Sequence, residues 1–166
     1  MSRETTEKLL VSVVLIAWYI CMPQVGYTGD MESPAHLTYM LSHANIWHLA
    51  GNVFVLWMMR GRLHLLSVIA IAFLASFIPS IGSVWDGFAF DGQTMGFSGA
   101  IFAIAGIQWG RYIWRQNNNE KQQEATKAFL TKALPWAIVG VLIPHINWSL
   151  HLYCMMAGFI YGRCRR

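Results

Sequence analysis

The stretch LHLLSVIAIAFLASFIPSI, residues 63–81, decides the fold. It carries no carboxylate, lysine or arginine. A helix rises 1.5 Å per residue, so about 20 largely apolar residues are needed to cross a hydrocarbon core about 30 Å thick. This run meets that requirement. Five further segments have a similar character, at 9–25, 40–59, 96–114, 128–145 and 147–162. The first follows MSRETTEK and resembles a signal peptide at a glance. Its apolar run is long and no small-residue cleavage site follows, so it reads as a retained first span. The second and sixth contain histidine and asparagine, which are costly inside a bilayer and tend to face a bundle interior or mark function.

Composition agrees with this count. The chain has 166 residues, 55% of them hydrophobic and 12% charged, against about 25% charged in a soluble domain. There are too few polar groups to coat a soluble globule, and the length suits one domain, 1–166. With six spans, all twelve Lys and Arg fall on one side of the membrane. Arg3 and Lys8 precede the first span, and Arg60 and Arg62 join the second to the third. Arg111, Arg115, Lys121, Lys127 and Lys132 surround the link between the fourth and fifth, which contains the polar stretch RQNNNEKQQEATK. Arg163, Arg165 and Arg166 end the chain. The opposite loops hold Asp30, Glu32, Asp86 and Asp91. The positive-inside rule then places both termini in the cytoplasm. The net charge of +4 is accounted for by topology and anionic lipid, and no nucleic-acid partner is needed. The expectation is an all-α polytopic membrane protein of six transmembrane helices. Cys21, Cys154 and Cys164 lack C-x-x-C spacing and read as small apolar residues.

Several polar residues share one depth. His48 and Asn52 are four apart in the second segment and lie on one helix face. Ser98 opens the fourth segment in GFSGAIFAI. His151 lies about one turn into the sixth, below Asn147. Each is in the outer half of its helix, so three helices bring them to a similar level. A serine hydroxyl becomes a nucleophile when imidazole takes its proton. The oxyanion that follows needs hydrogen-bond donors, which the first turn of a helix and side chains such as His48 and Asn52 supply. No carboxylate occupies the outer half of a span, which leaves a Ser–His dyad. Taken singly, each residue has a plainer reading as an interhelical hydrogen-bond partner. Their coincidence at one depth favours chemistry. His43, His48 and His151 offer no His-x-x-x-His pair and no carboxylate ligand, so neither a metal nor a cofactor is expected.

The segments HANIWHLAGN (43–52), GFSGAIFAI (96–104) and HLYCMMAGFIYG (151–162), in this order on these spans, resemble the rhomboid intramembrane serine proteases. The resemblance implies a six-helix bundle with Ser98 as nucleophile and His151 as general base. It implies an oxyanion hole made of His48, Asn52 and the Ser98 backbone N–H. Gly96 is implied to admit the loop backbone to the site, and Phe102 to pack on the base. His43 takes a structural role. Gly106 and Gly110 face Gly158 and Gly162 as small-residue stripes. Two departures stand out. Cys154 occupies a position where the family usually has glycine, which is expected to widen the contact between the fourth and sixth spans. The Trp-Arg pair of the first outer loop is absent from ESPAHLTYMLSHA, residues 32–44.

The implied activity is endopeptidase cleavage of transmembrane protein substrates near the outer surface of a bilayer, with a bacterial inner membrane as the expected location. Gly82, Gly87, Gly92 and Gly96 are expected to let the outer loop act as a gate. An inactive rhomboid-like protein that binds transmembrane clients is the alternative, and retention of both Ser98 and His151 argues against it. A small transporter is a further alternative, but it leaves the aligned Ser, His and Asn unexplained.

Overall fold

A computed structural model describes residues 2–28, 34–81, 85, 92–116, 118–142 and 145–164. Asp30, Glu32, Asp86 and Asp91, the glycines Gly82 and Gly87, and Arg165 and Arg166 lie outside the described residues. The described residues form an all-α structure: α1 (Arg3–Cys21), α2 (Ala35–Thr38), α3 (Ile46–Met58), α4 (Leu65–Ala75), α5 (Ser98–Trp114), α6 (Asn119–Leu142) and α7 (Trp148–Cys164). Six of these fall on the six apolar segments, and α2 is an additional short helix. Among the described residues no helix is long and apolar enough to cross a membrane. α3 and α4 have 13 and 11 residues, and the first turns of α1 hold Arg3, Glu4, Glu7 and Lys8.

Two segments depart from expectation. The second, expected as one helix over 40–59, is broken. Residues 40–45 are turn and coil, and α3 starts only at Ile46. The cause is the cap at Asn45, whose side-chain oxygen accepts from the His48 N–H at 2.9 Å, as N-caps do. The polar stretch 115–127 is not a linker throughout, because 119–127 form the first turns of α6. The Lys121 N–H donates to Asn118 Oδ1 at 2.7 Å and starts that helix.

The core is the pair α5 and α7. A methyl group on Gly106 would fall 2.1 Å from the Met155 carbonyl oxygen, and one on Gly110 2.3 Å from that of Phe159. In return, methyls on Gly158 and Gly162 would each fall 2.3 Å from the carbonyl oxygens of Ala103 and Ile107. The two glycine stripes therefore let the backbones touch, as small residues do at close helix crossings. Cys154 is fully buried. Its sulfur would lie 3.4 Å from a methyl on Gly99, an ordinary van der Waals contact, so the sulfur fits between the helices at this level. α4 joins the pair through the Ser67 and Tyr161 hydroxyls, 2.6 Å apart, and Tyr39, at the end of α2, donates its hydroxyl to the Ala72 carbonyl of α4 at 2.8 Å.

The charged end of α1 clamps the far end of α3. Lys8 is 5% exposed. Its ammonium pairs with Glu4 at 2.7 Å and donates to the carbonyls of Trp57 and Met59, the last of which caps α3. Glu7 accepts from the Leu63 N–H at 3.2 Å. The hydrogen bond from Lys8 holds the Glu4 carboxyl below its ordinary range. Burial pushes Glu7 up, but its bonds from Arg3 and Leu63 outweigh this and leave it lowered. Lys8→Met keeps the apolar stem and removes the donors, so it should destabilise the fold by ~2 kcal/mol, read as a lower melting temperature in detergent. Both carboxyls have lowered pKa values in the folded chain. Their stabilisation is therefore complete above the ordinary carboxylate range and lost as the pH falls through the lowered values. Acid titration of the melting temperature checks this sign.

Candidate active site

The site lies where α5 and α7 begin. Ser98 is the first residue of α5, and its N–H belongs to the first turn, where the helix supplies no acceptor. His151 is the fourth residue of α7. Ser98 Oγ and His151 Nε2 are 2.8 Å apart, within hydrogen-bond range. With the proton on the hydroxyl, Ser98 donates and the imidazole accepts. Phe102, one turn along α5, stacks on the His151 ring with centroids 4.6 Å apart and planes 11° from parallel. Among the described residues no carboxylate lines the cavity described below, and the Phe102 face holds the imidazole plane in place.

The loop before Ser98 is fixed at each step. Tyr27 and Thr94 exchange backbone hydrogen bonds, 3.1 and 2.8 Å, in an isolated antiparallel bridge. The Gly96 N–H donates to the Tyr39 carbonyl at 2.8 Å. The Phe97 N–H points to His43 Nε2 at 3.5 Å, while His43 Nδ1 meets the Leu41 carbonyl at 3.1 Å. His43 is fully buried and both its ring nitrogens face protein partners, which gives it a scaffolding position.

Gly96 is the close approach. Its φ is +115°, a region that side chains disfavour. A methyl there would fall 2.7 Å from both Cε1 and Nε2 of His48, and 3.3 Å from Nδ2 of Asn52. The tips of His48 and Asn52 therefore press on the backbone two residues before Ser98. Asn52 is 8% exposed, and its buried Nδ2 has no hydrogen-bond partner. Buried polar groups are nearly always paired, so this donor is a reserve of hydrogen-bonding capacity.

Ser98, His151, His48, Asn52, Gly96 and Asn147 line one cavity of about 420 Å³. The structure thus brings together the residues singled out in the sequence, with Phe102 behind the imidazole. Asn147 and Thr94 are additions. The sequence marks Asn147 only as the start of a span, although an asparagine just before an apolar helical run is a legible cap signal. A larger hollow of about 610 Å³ between α5 and α6, lined by Gln108, Trp109, Lys121 and Glu124 among others, has no nucleophile beside a base. Among the described residues no group of three potential metal ligands occurs. The arrangement contains a hydroxyl beside an imidazole and an unpaired amide donor close by, the parts that acyl transfer requires.

Gly96→Ala strains the backbone and drives a methyl into His48 and Asn52. It should leave the fold intact by circular dichroism, and should lower the labelling rate of Ser98 by a serine-directed fluorophosphonate about tenfold or more, the factor for a cost of about 1.4 kcal/mol.

A search of curated proteins finds no match to the chain. The family model described as Rhomboid domain matches residues 32–166, a span that contains α2 to α7 and each of the site residues named above. That match covers most of the sequence, and the chain belongs to the rhomboid family, whose domain is an integral membrane helical bundle.

Proposed function

We propose that this chain is an intramembrane serine endopeptidase that hydrolyses peptide bonds in or near transmembrane segments of membrane proteins. The 2.8 Å approach of Ser98 Oγ to His151 Nε2 carries this reading. Rhomboid-family membership supports it, because the family typically consists of such proteases.

The chemistry follows from the parts. His151 takes the hydroxyl proton as Ser98 Oγ attacks the scissile carbonyl. The carbonyl oxygen becomes an oxyanion, received by the Ser98 N–H, the Asn52 amide and the His48 imidazole. His151, now protonated, gives its proton to the leaving amine as the C–N bond breaks and an ester on Ser98 remains. Water then enters the cavity and gives its proton to His151, and its oxygen displaces Ser98 Oγ, releasing the new carboxyl end. His151 returns the proton to Ser98. Phe102 keeps the imidazole in plane through both halves.

In this reading the six apolar segments, each a helix together with its flanking residues, cross the bilayer with both termini in the cytoplasm. The site then opens towards the non-cytoplasmic face of a membrane that we assign to the bacterial inner membrane. The segregation of the twelve basic residues supports this orientation. The substrate presents an unwound stretch near its outer end, since an intact helix keeps its carbonyls in hydrogen bonds.

The test is detergent-purified protein assayed against a generic transmembrane substrate. Ser98→Ala should abolish cleavage and fluorophosphonate labelling while the melting temperature holds. Equal cleavage by wild type and Ser98→Ala defeats the assignment. Asn52→Ala removes the unpaired amide and should lower kcat by about 10²–10³, the usual effect of losing one oxyanion donor.

A further inference from the structure

Asn147 sits at the entry to α7, four residues before His151. Thr94 sits in the loop four residues before Ser98. The two side chains meet: Asn147 Nδ2 donates to Thr94 Oγ1 at 2.8 Å. The same amide nitrogen donates to Ser80 Oγ at 2.7 Å, and the Tyr27 hydroxyl lies 3.4 Å away. On its other side, Asn147 Oδ1 accepts from the Leu150 N–H at 3.1 Å and from the Ser149 hydroxyl at 2.9 Å. Ser149 Oγ in turn accepts from the Ile81 N–H at 2.8 Å. A carboxamide has two donor hydrogens and two acceptor lone pairs, and all four are engaged in a residue only 6% exposed.

A helix cap requires only the oxygen half of this side chain, and serine or aspartate supplies that. The nitrogen half points away from α7 to the segments that lead into Ser98 and out of α4. From this division of labour we infer that Asn147 is a positioning residue. Through Thr94 it sets the register between the start of the serine helix and the start of the histidine helix, and so the Ser98–His151 alignment. The inference rests on the protease reading. The Asn147 side chain makes no bond to the side chain of Ser98 or His151, and it acts through the two helix entries.

The experiment uses the full chain in detergent and begins with wild type against Ser98→Ala. If these two do not differ, the protease reading fails and the inference falls with it. If they differ, the variants of Thr94 and Asn147 decide the inference alone. Thr94→Val keeps the shape and removes the acceptor. It should lower kcat, and the fluorophosphonate labelling rate of Ser98 in parallel, by about tenfold, with KM within twofold. Thr94→Ser restores the oxygen and should recover most of that loss. Asn147→Ala should lower kcat further, by about 10², and adding Thr94→Val to it should cost nothing more, because the bond is already gone.

Undiminished kcat in Thr94→Val, a raised KM with kcat preserved, or multiplying effects in the double variant each overturn the inference. So does a loss of activity that follows the melting temperature across the set, which would mark a purely structural cap. If Asn147→Ala does not fold, the contrast of Thr94→Val with Thr94→Ser still decides.

Discussion

Everything at the site depends on direct backbone contact between α5 and α7. Four glycines remove the side chains that would hold these helices apart, and the opposing surfaces are carbonyl oxygens and amide nitrogens rather than mobile side-chain ends. A contact of that kind has little freedom to slide, because any shift drives backbone into backbone. Ser98 and His151 sit at one end of this rigid pair and inherit its geometry. Their separation is therefore a property of the helix crossing. In the proposed protease, control over activity would fall to whatever admits substrate and water, since parting the serine from the histidine would break the core of the fold.

Two buried polar side chains near the reacting atoms are fully engaged. His43 braces the loop with both ring nitrogens, and Asn147 uses its full capacity on segments entering α7, leaving α4 and preceding α5. In a protein with so few charged residues, each unpaired buried donor costs more than it would near water. Among the described residues three buried side-chain donors lack a partner, Trp18 Nε1, Gln108 Nε2 and Asn52 Nδ2, and of these Asn52 is the one that lines the cavity with Ser98 and His151. Stability would favour giving it a partner. Its availability, next to Gly96 and the first turn of α5, suits an oxygen that acquires charge only during a reaction.

Much of this was legible in the sequence, and the failures have physical causes. The order of the long helices follows from apolar runs, and the glycine stripes from spacing of four along two of them. Matched depth alone was enough to bring Ser98, His48, Asn52 and His151 under consideration. Hydropathy does not register where backbone hydrogen bonds go, so residues 40–45 merged into the second segment although Asn45 carried the cap signal. The polar run at 115–127 hides the start of α6, because a solvated helical turn has no apolar stripe and only the Asn118 cap and Glu120 in the first turn mark it. Asn147 was missed for a different reason. Its partners Thr94, Ser80 and Tyr27 are distant in sequence, and nothing local distinguishes a cap from a junction of three segments.

The shortness of α3 and α4 has a consequence for the lipid. With 13 and 11 residues, they rise only about 20 and 16 Å, well under the roughly 30 Å of a hydrocarbon core. The bilayer beside them meets helices shorter than its hydrocarbon core, and such mismatch is relieved by thinning the bilayer, by tilt or by gathering other proteins. The protein would then travel with a dimple in its annular lipid on that flank. For the proposed transmembrane substrate, a helix crossing the dimple would have its ends drawn out of oil and into the headgroups, where unwinding costs least.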